Sequence, residues 1–208
     1  ADEVAHWDNV SRRMRIVFLS DGIIAQFEGC DRLKELDWDA YREKYGNIQR
    51  LDRILEAEDD TANRYKVSKQ ADVLMLFYLF SAEKLEKLFK QLGYDFEYET
   101  IPNNIHYYLN RTSHGSSLGY IIHSWVMARL DRKRSWELFK NALKTDIADI
   151  QGGTTQEGIH LGAMSGCVDI IQRAYTGLEI REDVLRLNPQ FPDELKRINF
   201  NLRYRDHW

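Results

Sequence analysis

Apolar side chains recur along this chain at steps of three and four residues, the spacing that gathers them on one face of a helix. The stripes are Leu74, Phe77 and Tyr78; Leu85, Leu88, Phe89 and Leu92; Ile121, Ile122, Trp125 and Val126; and Trp136, Phe139, Ala142 and Leu143. Another, formed by Val4, Trp7, Ser11 and Met14, occupies the start of the sequence. Ser81 and Ser135 stand where N-caps belong, each followed at two residues by a glutamate, while Gly93 and Gly177 fall where helices should stop. Ser68 is placed to cap a further helix running from Lys69 through Leu79. The pattern predicts short amphipathic helices connected in series.

Near the C-terminus the period changes, beyond Pro189 and Pro192. Ile198, Phe200, Leu202 and Tyr204 alternate with Asn199, Asn201, Arg203 and Arg205, as in a half-buried β-strand. A strand with both edges unpaired is not stable alone, and no second strand follows it before Trp208. With no initiator methionine at the other end, the expectation is a piece of a larger protein.

The 208 residues are 43% hydrophobic and 30% charged, enough to bury a substantial core in one or two domains. Acids and bases are interspersed to a net charge of -4, which offers no electrostatic footprint for nucleic acid or an anionic membrane. No run of about 18 apolar residues suits a membrane span, and the first residues lack the regions of a secretory signal, so a cytoplasmic location is expected. Cys30 and Cys167 are isolated and read as small buried hydrophobes. The sequons at Asn9 and Asn110 are then chance matches.

Three polar segments between the helices are where chemistry could sit. The first runs from Tyr65 to Asp72, where Lys69 in a first helical turn would oppose the helix dipole by a few tenths of a kcal/mol and so asks for a reason. Lys69 and Gln70 could donate to sugar hydroxyls; equally, Lys69 reads as a solvated charge on an exposed turn. The second, Arg111-Thr-Ser-His-Gly-Ser-Ser-Leu118, sets hydroxyls, a glycine and His114 ahead of a helix, where free N–H groups and the positive end of the dipole suit phosphate. His114 there could donate a proton or a charge. The plain alternative is Thr112 or Ser113 as an N-cap, Gly115 as a turn residue and His114 as a satisfied surface histidine. Two hydroxyls before the histidine, and Ser116 and Ser117 after the glycine, exceed what one cap requires. The third, Gln151-Gly-Gly-Thr-Thr-Gln-Glu-Gly-Ile-His-Leu161, contains Thr154 and Glu157 at capping-box spacing. Its functional reading is that Gly152 and Gly153 admit a ligand to the backbone while Thr155, Glu157 or His160 faces a cavity.

The six histidines include no pair at helical ligand spacing, so no metal is expected. There is no dinucleotide fingerprint, no Walker loop and no Gly-x-Ser-x-Gly elbow, and nucleotide and serine-hydrolase chemistry drop out.

Lys-Gln-Ala-Asp-Val at 69–73, Thr-Ser-His-Gly-Ser-Ser at 112–117 and Gly-Gly-Thr-Thr-Gln-Glu-Gly-Ile-His-Leu-Gly-Ala-Met at 152–164 resemble, in order, the signatures of glycoside hydrolase family 65. The resemblance extends from Asp21-Gly-Ile-Ile-Ala-Gln-Phe to Leu202-Arg-Tyr-Arg. This is a family of inverting α-glucoside phosphorylases acting on maltose, trehalose and kojibiose. The resemblance implies an all-α fold, residues 1–182 being the C-terminal portion of an (α/α)6 barrel, and residues 183–208 a linker with the first strand of a C-terminal β-sandwich. It implies that Lys69 and Gln70 bind the transferred glucosyl unit, and that His114, Gly115, Ser116 and Ser117 bind phosphate. No cofactor is implied beyond inorganic phosphate as co-substrate; the partners are a disaccharide, the remainder of the barrel and, weakly, a second subunit of a homodimer.

The implied reaction is reversible phosphorolysis of an α-glucosidic bond to β-glucose 1-phosphate, with phosphate in the place of the water that an inverting hydrolase activates. Hydrolytic relatives carry a carboxylate where phosphorylases have the loop histidine, so His114 favours phosphorolysis. The family's general-acid glutamate lies in His-Glu-Val-like and Gly-Pro-Asp-Glu-Tyr-like runs, and neither occurs here. The chain by itself is therefore expected to be inactive, and Gly119 replaces a usual serine. The alternatives are a non-catalytic sugar- or phosphate-binding remnant or subunit, and an inverting α-glucoside hydrolase of the same family. The run Asn63-Arg-Tyr-Lys-Val-Ser leans toward the trehalose and kojibiose branch.

Overall fold

A computed structural model describes residues 2–181 and 183–207. Among them the helices are α1 (Asp2–Arg13), α2 (Trp38–Tyr45), α3 (Leu51–Ala57), α4 (Leu74–Leu79), α5 (Ala82–Gln91), α6 (Thr100–Leu109), α7 (Ser117–Met127), α8 (Arg132–Lys144) and α9 (Leu161–Asp169). A five-residue π-helical turn, Ile170–Ala174, continues α9, and a short hairpin, β1 (Glu179–Arg181) and β2 (Val184–Arg186), follows. Its register pairs Glu179 with Arg186, Ile180 with Leu185 and Arg181 with Val184. No helix is long and apolar enough to cross a membrane among the described residues.

α7 is the centre of the packing. Nine of its residues are buried, because α8, α4, α9 and α6 surround it. Close approach by α9 depends on Gly166, where a Cβ would stand 2.6 Å from Ile121 Cγ2. Ser124 on α7 donates to the Ser135 carbonyl at 2.9 Å, and the Ser135 hydroxyl donates back to the Ser124 carbonyl at 2.7 Å with the Tyr175 hydroxyl 3.1 Å away. These buried hydroxyls satisfy one another, as burial requires. Leu74, Leu85, Ile105, Ile121, Phe139 and Ile170 fill the main core; Leu36, Leu51 and Leu55 form a smaller one beneath residues 33–67. The buried Asn104 amide accepts from Ile24 N–H at 2.8 Å and donates to Gly22 and Thr100 carbonyls, pinning the incoming chain to α6.

Several sequence expectations change. Ser81 does cap α5, accepting from Lys84 N–H at 3.4 Å, and Gly93 follows with φ of +81°. Ser135 is not a cap: α8 begins earlier, with Asp131 accepting from Arg134 N–H at 2.9 Å, which frees Ser135 for the buried network. The helix expected from Lys69 starts only at Leu74. Ser68 cannot cap it, because its N–H and carbonyl are committed to residues 111 and 113. The strand expected from Ile198 does not form; residues 198–203 are unpaired, Tyr204 and His207 make an isolated bridge, and the regular pairing lies at 179–186 instead. The stripe is helical as expected as far as Arg13, yet Val4 and Trp7 on α1 and Met14 just beyond it are exposed.

Candidate functional site

Two of the three polar segments are laid side by side by main-chain hydrogen bonds. Ser68 N–H donates to the Arg111 carbonyl at 2.8 Å, and Ser113 N–H donates to the Ser68 carbonyl at 2.9 Å, an isolated parallel bridge. Thr112 Oγ1 donates to the Tyr108 carbonyl at 2.7 Å and so ends α6 there. This places Lys69 and Gln70 against Gly115 and Ser116. A Cβ on Gly115 would stand 2.4 Å from the Gln49 carbonyl oxygen and 3.2 Å from Lys69 Cγ, so only glycine fits between them.

Ser116 is the N-cap residue of α7, in extended conformation at φ -123° and ψ 136°. Its hydroxyl does not turn back to cap the helix. It donates instead to Gln70 Oε1 at 2.8 Å, and no side chain caps α7. The helix thus begins with N–H groups that no side chain has taken, beside the exposed Lys69. Ser117 is buried in the first turn.

His114 takes the left-handed conformation at φ 57°, uncommon for a residue with a Cβ. Its ring stacks on Tyr120 at 5.1 Å and meets His123 edge-on at 4.8 Å. Burial is the main force that pushes its pKa down to about 3, with His123 and Arg134 adding to it. Burial likewise takes His123 down to about 4, although its bond to the Gly119 carbonyl opposes the shift. Both imidazoles are therefore neutral near pH 7, so of the proton or charge that the sequence allowed His114 to donate, the proton is left. His123 donates Nδ1–H to the Gly119 carbonyl at 2.8 Å. His114 Nδ1 is buried without a partner, leaving Nε2 as the ring's free polar atom.

The third segment joins through Gln151, 1% exposed, which donates Nε2–H to the His114 carbonyl at 2.8 Å. The expected capping box does not form: Thr154 Oγ1 turns toward Gln151 Oε1 at 3.5 Å, and only a main-chain bond links Glu157 to Thr154. Asp149 orders the loop in its place, accepting from Gly153 N–H at 2.7 Å and from Thr155 N–H and Oγ1 at 3.3 Å. His160 is held by Asp146, a residue that no sequence pattern distinguished, as was Gln151's bond to His114. Among the described residues no hydrogen bond joins Thr155, Glu157 or His160 to Lys69 or Gln70.

A cavity of about 830 Å³ lies along α4, α7 and α9, lined by Gln70, Asp72, Tyr78, Gly119, His123 and Arg173 among others. A smaller one of about 250 Å³ opens on the other side of the loop at 111–118, between Trp38, Gln49, His114 and Tyr120. The larger cavity of about 1000 Å³ beside residues 17–35 touches none of the candidate residues. No group of three His, Cys, Asp or Glu side chains is placed to hold a metal ion among the described residues.

Residues 1–169 match the glycosyl hydrolase family 65 central catalytic domain, and residues 178–208 match the family 65 C-terminal domain. An uncharacterised glycosyl hydrolase of Mycobacterium tuberculosis is 57% identical over 97% of this chain and 15% of its own length. A trehalose 6-phosphate phosphorylase of Lactococcus lactis is 37% identical over 94% of this chain and 26% of its own. A solved structure assigned as a kojibiose phosphorylase, from the human microbiome, superposes with a TM-score of 0.66 at 27% identity, covering 90% of this chain and 24% of that one. The chain thus spans about a quarter or less of the length of these relatives. The expected fold stands, as part of the family's helical catalytic domain with the start of its C-terminal domain. On the family model and these relatives together, the chain belongs to glycosyl hydrolase family 65.

Proposed function

We propose that the protein carrying this chain is an inverting disaccharide phosphorylase, and that the segment at 111–118 holds inorganic phosphate. The observation that carries the reading is the uncapped start of α7 beside Lys69, with the Ser116 hydroxyl turned onto Gln70. Untaken N–H groups at a helix start are what a phosphate needs. His114 contributes as a neutral donor through Nε2–H, since burial keeps it uncharged.

Lys69 and Gln70 bind the glucosyl unit, and phosphate attacks its anomeric carbon while a carboxylic acid protonates the leaving oxygen. That acid is supplied from outside these 208 residues, which carry neither of the runs that bear it in the family. Phosphate already carries nucleophilic charge and needs only to be held in line, so no general base is required on its side. The substrate is an α-linked glucose disaccharide of the trehalose or kojibiose type. A trehalose 6-phosphate phosphorylase at 37% identity supports this choice. The reaction on this reading needs inorganic phosphate as co-substrate and no organic cofactor.

The test is phosphate-dependent release of β-glucose 1-phosphate by the intact protein from trehalose, trehalose 6-phosphate and kojibiose. His114→Ala lowers kcat/KM for phosphate by about a hundredfold, the loss of one hydrogen bond to an anion. Hydrolysis without phosphate, or an unchanged phosphate requirement in His114→Ala, refutes the reading.

A further inference from the structure

Asp146, in the turn after α8, has a side chain only 6% exposed. A carboxylate so enclosed persists only when hydrogen-bonded. Both of its oxygens serve one residue: Oδ2 accepts from His160 N–H at 2.9 Å, and Oδ1 lies 2.6 Å from His160 Nδ1. An ionised carboxylate only accepts, so Nδ1 carries a proton, and in the neutral ring Nε2 is then a bare acceptor. Nε2 stands 3.8 Å from Glu157 Oε2, too far for a direct hydrogen bond. The two side chains are 29% and 55% exposed, so this end of the pair is open to solvent while the Asp146 end is closed.

Two acceptors side by side, one locked in tautomer, call for two donors of similar spacing, and hydroxyls on adjacent carbons of a pyranose supply them. We infer that His160 and Glu157 form an acceptor pair for neighbouring hydroxyls of the sugar released from, or accepted into, the site proposed above, with Asp146 as the positioning residue. The inference rests on the phosphorylase reading. The loop's place supports it: Gln151 at its head bonds the His114 carbonyl, and Gly162, two residues past His160, would bring a Cβ within 3.5 Å of Leu118 Cδ2 in the first turn of α7. Since Lys69 and Gln70 are assigned to the transferred glucosyl unit, the loop's pair is left for the other sugar.

Asp146→Asn reads the positioning directly. The asparagine amide can donate to Nδ1, which moves the ring proton to Nε2 and turns an acceptor into a donor at nearly constant volume. The assay is synthesis by the intact protein from β-glucose 1-phosphate, with D-glucose or D-glucose 6-phosphate as acceptor, whichever the unaltered protein uses, and its monodeoxy derivatives. Asp146→Asn and His160→Ala are expected to raise the acceptor KM by about tenfold, a hydrogen bond's worth. The KM for β-glucose 1-phosphate and kcat stay within about threefold. The deoxy derivative that penalises the unaltered protein should no longer penalise His160→Ala, and His160→Gln, which keeps an acceptor, should recover part of the loss. If Asp146→Asn does not fold, Glu157→Ala with His160→Ala, which removes both acceptors, reads the same penalty. Unchanged acceptor KM with the deoxy penalty intact in all variants overturns the inference and leaves phosphorolysis standing. Absence of phosphate-dependent transfer in the unaltered protein overturns both.

Discussion

Gly115 is the position where the sequence, the packing and the proposed chemistry meet most tightly. An added methyl would sit 2.4 Å from the Gln49 carbonyl oxygen, a backbone atom, where ordinary contact begins near 3.4 Å. Gly115→Ala must therefore displace the loop or residue 49 by roughly 1 Å, and overpacking of this kind costs about 1–3 kcal/mol. A misplacement of about 1 Å also lowers turnover by about a hundredfold when it moves a group that positions a reactant. Gly119, one turn on, is the control. Its added Cβ would meet nothing nearer than the Lys69 carbonyl at 3.6 Å, and alanine in a helix is favoured over glycine by about 0.5–1 kcal/mol. Denaturant unfolding and phosphate KM of the intact protein are the measurements. Gly115→Ala should lose stability and phosphate affinity together, whereas Gly119→Ala should gain stability and keep its affinity. Equal behaviour of the two variants, or an unaffected phosphate KM in Gly115→Ala, refutes the packing of this loop against residue 49 and Lys69.

Two other expectations concern the support beneath the loop. His114 and His123 titrate near 3 and 4 in the fold, below the usual 6.5, so the unfolded chain binds protons that the folded one refuses between those values. Stability is complete above pH 6.5 and falls as the pH drops toward 4, by at most about 1.4 kcal/mol per unit for each histidine. His123→Gln should flatten that limb in denaturant unfolding at pH 7, 6 and 5, and an identical slope counts against burial as the cause. Gln151→Ala strips the His114 carbonyl of its buried donor, a loss of about 1–3 kcal/mol, and phosphate KM should rise with it. A variant as stable as the unaltered protein sinks that link.

The helices were legible where a stripe reports burial against a neighbour. Leu74, Leu85, Phe89, Ile121 and Phe139 are buried where their spacing placed them. What the pattern missed was decided across long separations. Ser68 looks like a cap, but its backbone pairs with residues 43 and 45 positions later in the chain, numbers 111 and 113, and the helix start moves to Leu74. Asp131 and Ser135 are both competent caps; which one serves depends on whether Ser135 is needed by Ser124 and Tyr175 inside the core. The alternation from Ile198 is real, yet a strand is a property of a pair, and β1 and β2 are too short to carry a period of their own. At the site, the motifs named Lys69, Gln70 and the run from His114 to Ser117, and the structure brings their backbones together. Asp146 was invisible and Gln151 only the first residue of a polar segment, because nothing local marks their roles; each acts through a partner 14 or 37 residues away.

The neutrality of His114 bears on why such a site would favour transfer over tight binding. On the proposed reading, phosphate enters with between one and two negative charges and gives up part of that charge as its oxygen bonds to the anomeric carbon. A full cation at every contact would hold the incoming anion better than the transition state, and interactions stronger in the ground state slow the reaction. Burial against Tyr120 and His123 strips the imidazole of its charge, while the untaken N–H groups of α7 contribute fixed partial charge that costs no reorganisation. Lys69 is then the single formal cation among Lys69, Gln70, His114, Ser116 and Ser117, and it lies exposed, where solvent moderates its pull. The strained backbone at His114 has a role in this arrangement: at φ 57° the residue turns its ring into the protein, where the imidazole is kept neutral, while its carbonyl is fixed by Gln151.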